Sequence, residues 1–118
     1  MSQTTTLILL PQTTWNGNVS NVQIYDVVGE RRQAASYYVG SKDLQTVNIN
    51  LAGVTGNIII QATLATLPET TDWFSVYELQ ANTTSTNEAV NVEGNFVWMR
   101  AKVQDFAAGV VQYVKLSY

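Results

Sequence analysis

The 118-residue sequence contains no cysteine and no histidine. Without cysteine the chain has neither a disulfide nor a thiolate nucleophile. Without histidine it lacks the side chain that most often serves as general base or transition-metal ligand. Carboxylates are the remaining catalytic candidates, and nothing in the sequence brings Glu69 together with Asp72, or Glu88 with Glu93, in a cleft. We therefore predict that the protein is not an enzyme, with no catalytic residues and no cofactor.

Charged residues are also scarce, at 13% of the chain, where an ordinary soluble domain carries about 25%. Six lysines and arginines and a net charge of −3 predict no nucleic-acid partner, because few counterions would be released from phosphates. The acidic residues form no dense calcium-binding run, so we predict no metal ligands, although a calcium site assembled from separate loops stays open.

Long hydrophobic runs are missing as well. The apolar stretch Leu7 to Leu10 is far shorter than the core of a signal peptide, and no segment approaches the roughly 18 apolar residues of a membrane span. We expect synthesis in the cytoplasm, without a signal peptide and without a membrane span.

What the sequence does contain is a series of short β-branched and aromatic runs separated by turn residues. We interpret 29–33, 80–87 and 105–109 as loops or connections between such runs. Eight or nine short strands at this spacing predict a single all-β domain covering residues 1–118, built as an antiparallel two-sheet, jelly-roll-like β-sandwich. No window shows a sustained helical period.

The clearest period-two pattern runs from Phe96 to Val103. We place one face of this strand in the core, surrounded by apolar residues of neighbouring strands; the predicted core is Val97, Met99, Ala101, Val103, Ile58, Ile60, Leu64, Val114 and Leu116. Trp98 and Arg100 lie on the opposite face. Such a strand either sits between two layers or presents Trp98 and Arg100 to a partner, so both are candidate interface residues.

The amino-terminal segment 1–10 is the second candidate interface. It contains the uncharged, strongly β-prone run Thr4, Thr5, Thr6, Leu7, Ile8, Leu9 and Leu10. An open sheet edge of this composition would be an aggregation hazard. The segment is therefore either an ordinary outer strand of its own subunit or a strand that pairs with, or is exchanged with, a neighbouring subunit.

The aromatic residues support a different function. Stacking platforms for sugar rings could be formed by Trp15, Tyr37 and Tyr38, together with Trp73, Trp98, Tyr77 and Tyr113. Large aromatics in small sandwiches more often fill the core, so Trp73 and Trp98 could instead fill the core or cover a sheet face.

Two segments carry a family resemblance. They are Gly56 to Leu64 with Pro68 and Asp72 to Phe74, and Gly94 to Val103 with Gly109 and Val114 to Tyr118. Together they resemble the strand–loop–strand unit and last two strands of small virion proteins of tailed bacteriophages, especially marine and cyanobacterial ones. They are also similar to the closing strands of discoidin-like, galactose-binding jelly rolls. The resemblance covers about half of the chain.

The resemblance implies a structural protein of the virion, at the head surface, neck or tail, that is made in the host cytoplasm and released by lysis. Its partners would be further copies of itself and other virion proteins. The alternative is a carbohydrate-binding sandwich that attaches the virion to a host-surface glycan, and the two roles are compatible.

Overall fold

The computed structural model describes residues 6–15, 25–34, 44–94 and 96–117. Over these ranges the chain forms seven β-strands and one 3₁₀ turn, Thr70–Asp72. Four strands are short and three are 20 residues long: Thr6–Leu10 (β1), Thr13–Thr14 (β2), Tyr25–Val28 (β3), Arg32–Gln33 (β4), Leu44–Thr63 (β5), Phe74–Glu93 (β6) and Trp98–Ser117 (β7). The predicted all-β class is confirmed.

All seven strands belong to one antiparallel sheet, in which β7 is central. One side of β7 pairs with β5, which in turn pairs with β6. The other side pairs with the four short strands, one after another along its length. Ser117, for example, lies between Thr46 of β5 and Thr6 of β1.

The three long strands bend in the middle. A fully extended strand of this length would span about 66 Å at 3.3 Å per residue, whereas the longest dimension of the molecule is 45 Å. The pairing of β5 shifts register between Leu51 and Gly56. Thr83 in β6 and Asp105 in β7 have positive φ, at 52° and 56°.

The bends fold the sheet into two layers. The first layer contains 44–51, 86–93 and 110–117 with β1 and β2, and the second contains 57–63, 74–81 and 98–104 with β3 and β4. The smallest dimension of 19 Å agrees with two sheets packed about 10 Å apart. The architecture is therefore consistent with the predicted β-sandwich.

Apolar side chains from both layers form one core cluster. Of the predicted core, seven residues have no exposed surface: Ile58, Ile60, Met99, Ala101, Val103, Val114 and Leu116. The placement of Leu64 is wrong, because β5 ends at Thr63 and Leu64 is 63% exposed in the following loop. Val97 is only half-buried, and Phe96 is buried instead. The strand begins two residues later than predicted, since β7 starts at Trp98 rather than at Phe96.

The division into eight or nine short strands is corrected by the structure. Residues 80–87, predicted as a loop, lie within β6, and 105–109 lie within β7. Residues 29–33 include β4. Pairing continues through the bends because side chains satisfy local backbone groups: the Thr83 N–H donates to Thr55 Oγ1 at 3.1 Å and the Asp105 N–H to Asp26 Oδ1 at 3.0 Å. The predicted turn at Asn16-Gly17 and strand at 36–39 lie outside the described residues.

Candidate functional site

The outer surface of the second layer carries two arginine–tryptophan pairs. Because Met99 and Ala101 of β7 point into the core, the alternation turns Trp98 and Arg100 outward. The Arg100 guanidinium carbon lies 4.2 Å from the centroid of the Trp73 ring, and that of Arg31 lies 4.6 Å from the centroid of Trp98. At these distances each guanidinium is attracted to the face of its ring.

The loop between β5 and β6 is held against this surface. The Trp98 Nε1–H donates to the Thr66 carbonyl oxygen at 2.9 Å. Further along, the Glu69 N–H donates to Asp72 Oδ2 at 2.7 Å and the Asp72 N–H donates to the Glu69 carbonyl oxygen at 3.0 Å. These bonds close the 3₁₀ turn, and Trp73 follows it directly. The fold thus fixes the tryptophan ring against which Arg100 packs.

A residue of β5 also orients the Arg100 side chain. Its Nε–H donates to Oε1 of Gln61, its cross-strand partner, at 2.7 Å. Burial lowers the pKa of Arg100 below its usual value, because desolvation disfavours the charged form. Within the described ranges, Arg32 forms an ion pair with Glu30 at 3.5 Å. Neither Arg31 nor Arg100 has a carboxylate partner there.

Arg31 and Arg100 line a cavity of about 230 Å³, which we call the arginine pocket; its other lining residues are Pro68, Glu69, Thr70 and Trp73. The pocket offers two guanidinium groups, an apolar wall, one hydroxyl and one carboxylate. Guanidinium groups recognise carboxylates through paired N–H bonds, so the arrangement suits a small ligand with both a carboxylate and hydroxyl groups.

The outer surface of the first layer is different. Amide and hydroxyl side chains of β5, β6 and β7 form an array that we call the amide face: Thr46, Asn48, Asn50, Asn87, Asn91 and Tyr113. They bond in pairs across the strands: Thr46 Oγ1 to Asn91 Oδ1 at 2.8 Å, Asn48 Nδ2 to Asn87 Oδ1 at 2.7 Å, and Asn50 Nδ2 to the Tyr113 hydroxyl at 3.2 Å. Among the described residues of this face, the charged ones are Lys115 and, at one end, Glu93.

The predicted interface strand lies beside the amide face. Thr4 and Thr5 are outside the described residues. In β1, Leu9 and Leu10 are buried, Leu7 is half-buried, and Thr6 and Ile8 are exposed, Ile8 by 44%. The strand pairs with β7 of its own chain and, with β3, lines a groove of about 370 Å³. The structure describes one chain, so the exchange of this strand between subunits stays a prediction.

Of Trp15, Tyr37 and Tyr38, the structure describes Trp15, which is not among the described residues that line the arginine pocket. Trp15 is half-buried against the core, and its backbone N–H donates to the Gly109 carbonyl oxygen at 2.9 Å. Tyr37 and Tyr38 lie outside the described residues. Trp98 and Arg100 were predicted as interface residues and Trp73 as a stacking or core aromatic, whereas Arg31 was not predicted as a site residue. The adjacent arginines 31 and 32, in a chain with six basic residues, were the available signal.

The two carboxylate pairs are not apposed in a cleft. In the 3₁₀ turn the Asp72 carboxylate accepts a hydrogen bond from the Glu69 backbone N–H, and Glu88 and Glu93, five residues apart on β6, fall on opposite faces. No group of three or more metal-ligating side chains is found in the part of the chain that the structure describes. The same described residues contain no helix that is long and apolar enough to cross a membrane.

Comparison with known proteins defines the fold. No protein-family model matches the chain, and no curated protein matches its sequence significantly. Among solved structures, the chain is similar to the SPBc2 prophage-derived protein YomS, with 13% identity, a TM-score of 0.53, and coverage of 99% of this chain and 95% of that one. It is also similar to CBM29_1, a family 29 carbohydrate-binding module from Piromyces equi, with 11% identity, a TM-score of 0.50, and coverage of 98% and 91%. At these identities the shared property is the fold.

Proposed function

We propose that the protein is a non-enzymatic structural component of a bacteriophage particle, which acts by associating with further copies of itself and docking on other particle proteins. The fold shared with a prophage-derived protein along nearly the whole of both chains supports this role. So does the virion-protein resemblance of the carboxyl-terminal strands.

The amide face is the observation that carries the proposal. The cores of protein interfaces are depleted in charged residues, and the amide face has neutral polar groups across three adjacent strands. Its side chains are already held by cross-strand hydrogen bonds, such as the bond from Asn48 to Asn87. Because they are ordered before association, little side-chain freedom is lost when a partner binds.

The apolar border of the amide face adds to the argument. Ile8 pairs with Lys115 in the sheet and is 44% exposed, and it lines the groove between β1 and β3 together with Val28, which is also exposed. A neutral polar surface bordered by apolar side chains gives a partner both hydrogen-bonding groups and apolar area to bury.

A charge placed in the amide face tests the association. Asn48→Lys puts an ammonium group among the paired amides, where it would lose its hydration at an interface. We expect sedimentation velocity to show a multimeric wild-type protein and a folded but dissociated variant. Thr71→Lys, at an exposed position of the 3₁₀ turn, is the matched control and should keep the wild-type mass. A monomeric wild-type protein, or an Asn48→Lys variant of unchanged mass, would contradict self-association through this face.

The place of the protein in a particle has its own test. Quantitative mass spectrometry of purified virions should find the chain in a fixed ratio to the major capsid protein. Its presence in the infected cell but absence from purified virions would contradict the structural role.

A second candidate function is glycan binding during host attachment. The similarity to the carbohydrate-binding module over 98% of this chain and the arginine pocket both favour it. A glycan-binding protein should bind a defined set of oligosaccharides on an array, and no binding to any glycan would contradict this candidate while leaving the assembly role intact.

A further inference from the structure

We propose that the arginine pocket binds the carboxylate of an acidic saccharide, such as a uronate or sialate residue, with Arg31 and Arg100 as the groups that recognise it. The inference rests on the second candidate function and names its ligand class. It does not involve the amide face, which lies in the other layer.

The donors are the first reason. The Nε–H of Arg100 is taken by Gln61, and within the described residues no protein acceptor bonds its two Nη atoms. Arg31 likewise makes no ion pair there. Each guanidinium carbon lies over a tryptophan ring, within 4.6 Å of its centroid, so both groups are positioned before any ligand arrives. A planar, oriented fork matches the two oxygens of a carboxylate.

The electrostatic balance is the second reason. Arg100 is partly buried at the pocket, and its pKa is lowered because desolvation disfavours its charge. Among the described residues no carboxylate forms an ion pair with Arg100. A bound anion would offset the desolvation, which gives the pocket an intrinsic preference for a negative ligand although the chain as a whole is acidic.

The other lining residues indicate what carries the carboxylate. Trp73 and Pro68 contribute the apolar part of a mainly polar lining, and Thr70 and Glu69 can bond hydroxyl groups. Glu69 also disfavours a doubly charged phosphate by like-charge repulsion. The volume of about 230 Å³ is below the roughly 300–1,000 Å³ of pockets for drug-sized ligands. A single acidic sugar residue fits these conditions best.

Calorimetric titration of the folded protein tests the assignment. The probes are galacturonate and glucuronate oligomers and a sialyl-oligosaccharide, each beside its neutral counterpart. We expect the acidic probes to bind more tightly than the neutral ones, and added salt to weaken that binding. Arg100→Gln should weaken it about tenfold or more, since a charged hydrogen-bonding partner is lost.

Two variants make the test specific. Arg31→Gln changes an exposed side chain, so it should weaken binding without affecting folding even where Arg100→Gln is unstable. Lys115→Gln is the matched control, because it removes a cation stacked on an aromatic ring, 4.2 Å from the Tyr113 centroid, in the other layer. Its affinity for the acidic probes should equal that of the wild type.

Each alternative outcome overturns the proposal in a recognisable way. Equal binding of acidic and neutral saccharides, unchanged in both arginine variants, would remove the pocket assignment and leave glycan binding in place. Equally tight binding of a glutamate-rich peptide would show a carboxylate site without saccharide preference. Failure of every saccharide to bind at millimolar concentration would remove both the pocket and the glycan-binding candidate.

Discussion

Gly109 of β7 packs directly against the backbone of Gly53 of β5, at the point where both strands bend. A Cβ atom on Gly109 would overlap the carbonyl oxygen of Gly53. The two glycines have φ values of 92° and 64°, a region that other residues enter with strain. The bends of the two central strands therefore depend on each other.

This relationship predicts unequal effects of two matched substitutions. Gly53→Ala introduces only backbone strain, because nothing lies within 4 Å of the added Cβ, and should cost about 1–2 kcal/mol. Gly109→Ala adds the overlap with Gly53 to the same strain and should cost clearly more. Urea unfolding of both variants measures the difference. Equal losses would show that the backbone at the bend adjusts freely.

The core assignment is tested at Met99, which has no exposed surface. Met99→Ala should lower the free energy of unfolding by about 2–5 kcal/mol, through lost burial and the cavity left behind. The matched control is Leu64→Ala, at a 63% exposed position, which should change stability by no more than about 0.5 kcal/mol. An unchanged unfolding midpoint for Met99→Ala would contradict the assigned inner face of β7.

A pH dependence is expected from Tyr77. Burial, and secondarily the charge of Glu88, raise the pKa of its hydroxyl above 10.0. Above pH 10 the unfolded chain loses this proton while the folded protein keeps it, so folding stability falls as pH rises through that range. Tyr77→Phe should flatten the alkaline decline, and Glu88→Gln should flatten it partly. If the curves of unfolding free energy against pH were parallel for the wild type and Tyr77→Phe, Tyr77 would not be the cause of the alkaline loss of stability.

The role of the amino-terminal strand is tested by deleting residues 1–10. If β1 contributes to assembly, light scattering should show a folded but dissociated product, with fewer subunits than the wild type. A folded product with unchanged oligomeric state would refute the assembly role. An unfolded product would show that Leu9 and Leu10, both buried, make the strand part of the core.

The sequence predicted the inner faces of β5 and β7 better than the extent of the strands. Alternation in β7 places Met99, Ala101 and Val103 correctly because burial follows the period of two. The same alternation cannot show that residues 80–87 continue a strand, since polar Thr and Asn on an exposed edge resemble a loop. The arginine pocket was only partly predictable. Arg100 was singled out on β7, but its contact with Trp73 depends on the path of the loop between β5 and β6, which the sequence pattern does not show.

The central position of β7 also has a consequence for the order of folding during synthesis. Among the described residues, β1, β2, β3 and β4 pair in the sheet with β7 and with no other strand, and β7 follows all four of them along the chain. Until β7 emerges, β5 and β6 can form a hairpin, but the four short strands have no strand to pair with. The buried apolar residues of β1, Leu9 and Leu10, therefore have no partner strand in the sheet until β7 has been synthesised, and the sandwich closes only when β7 is inserted between the other strands.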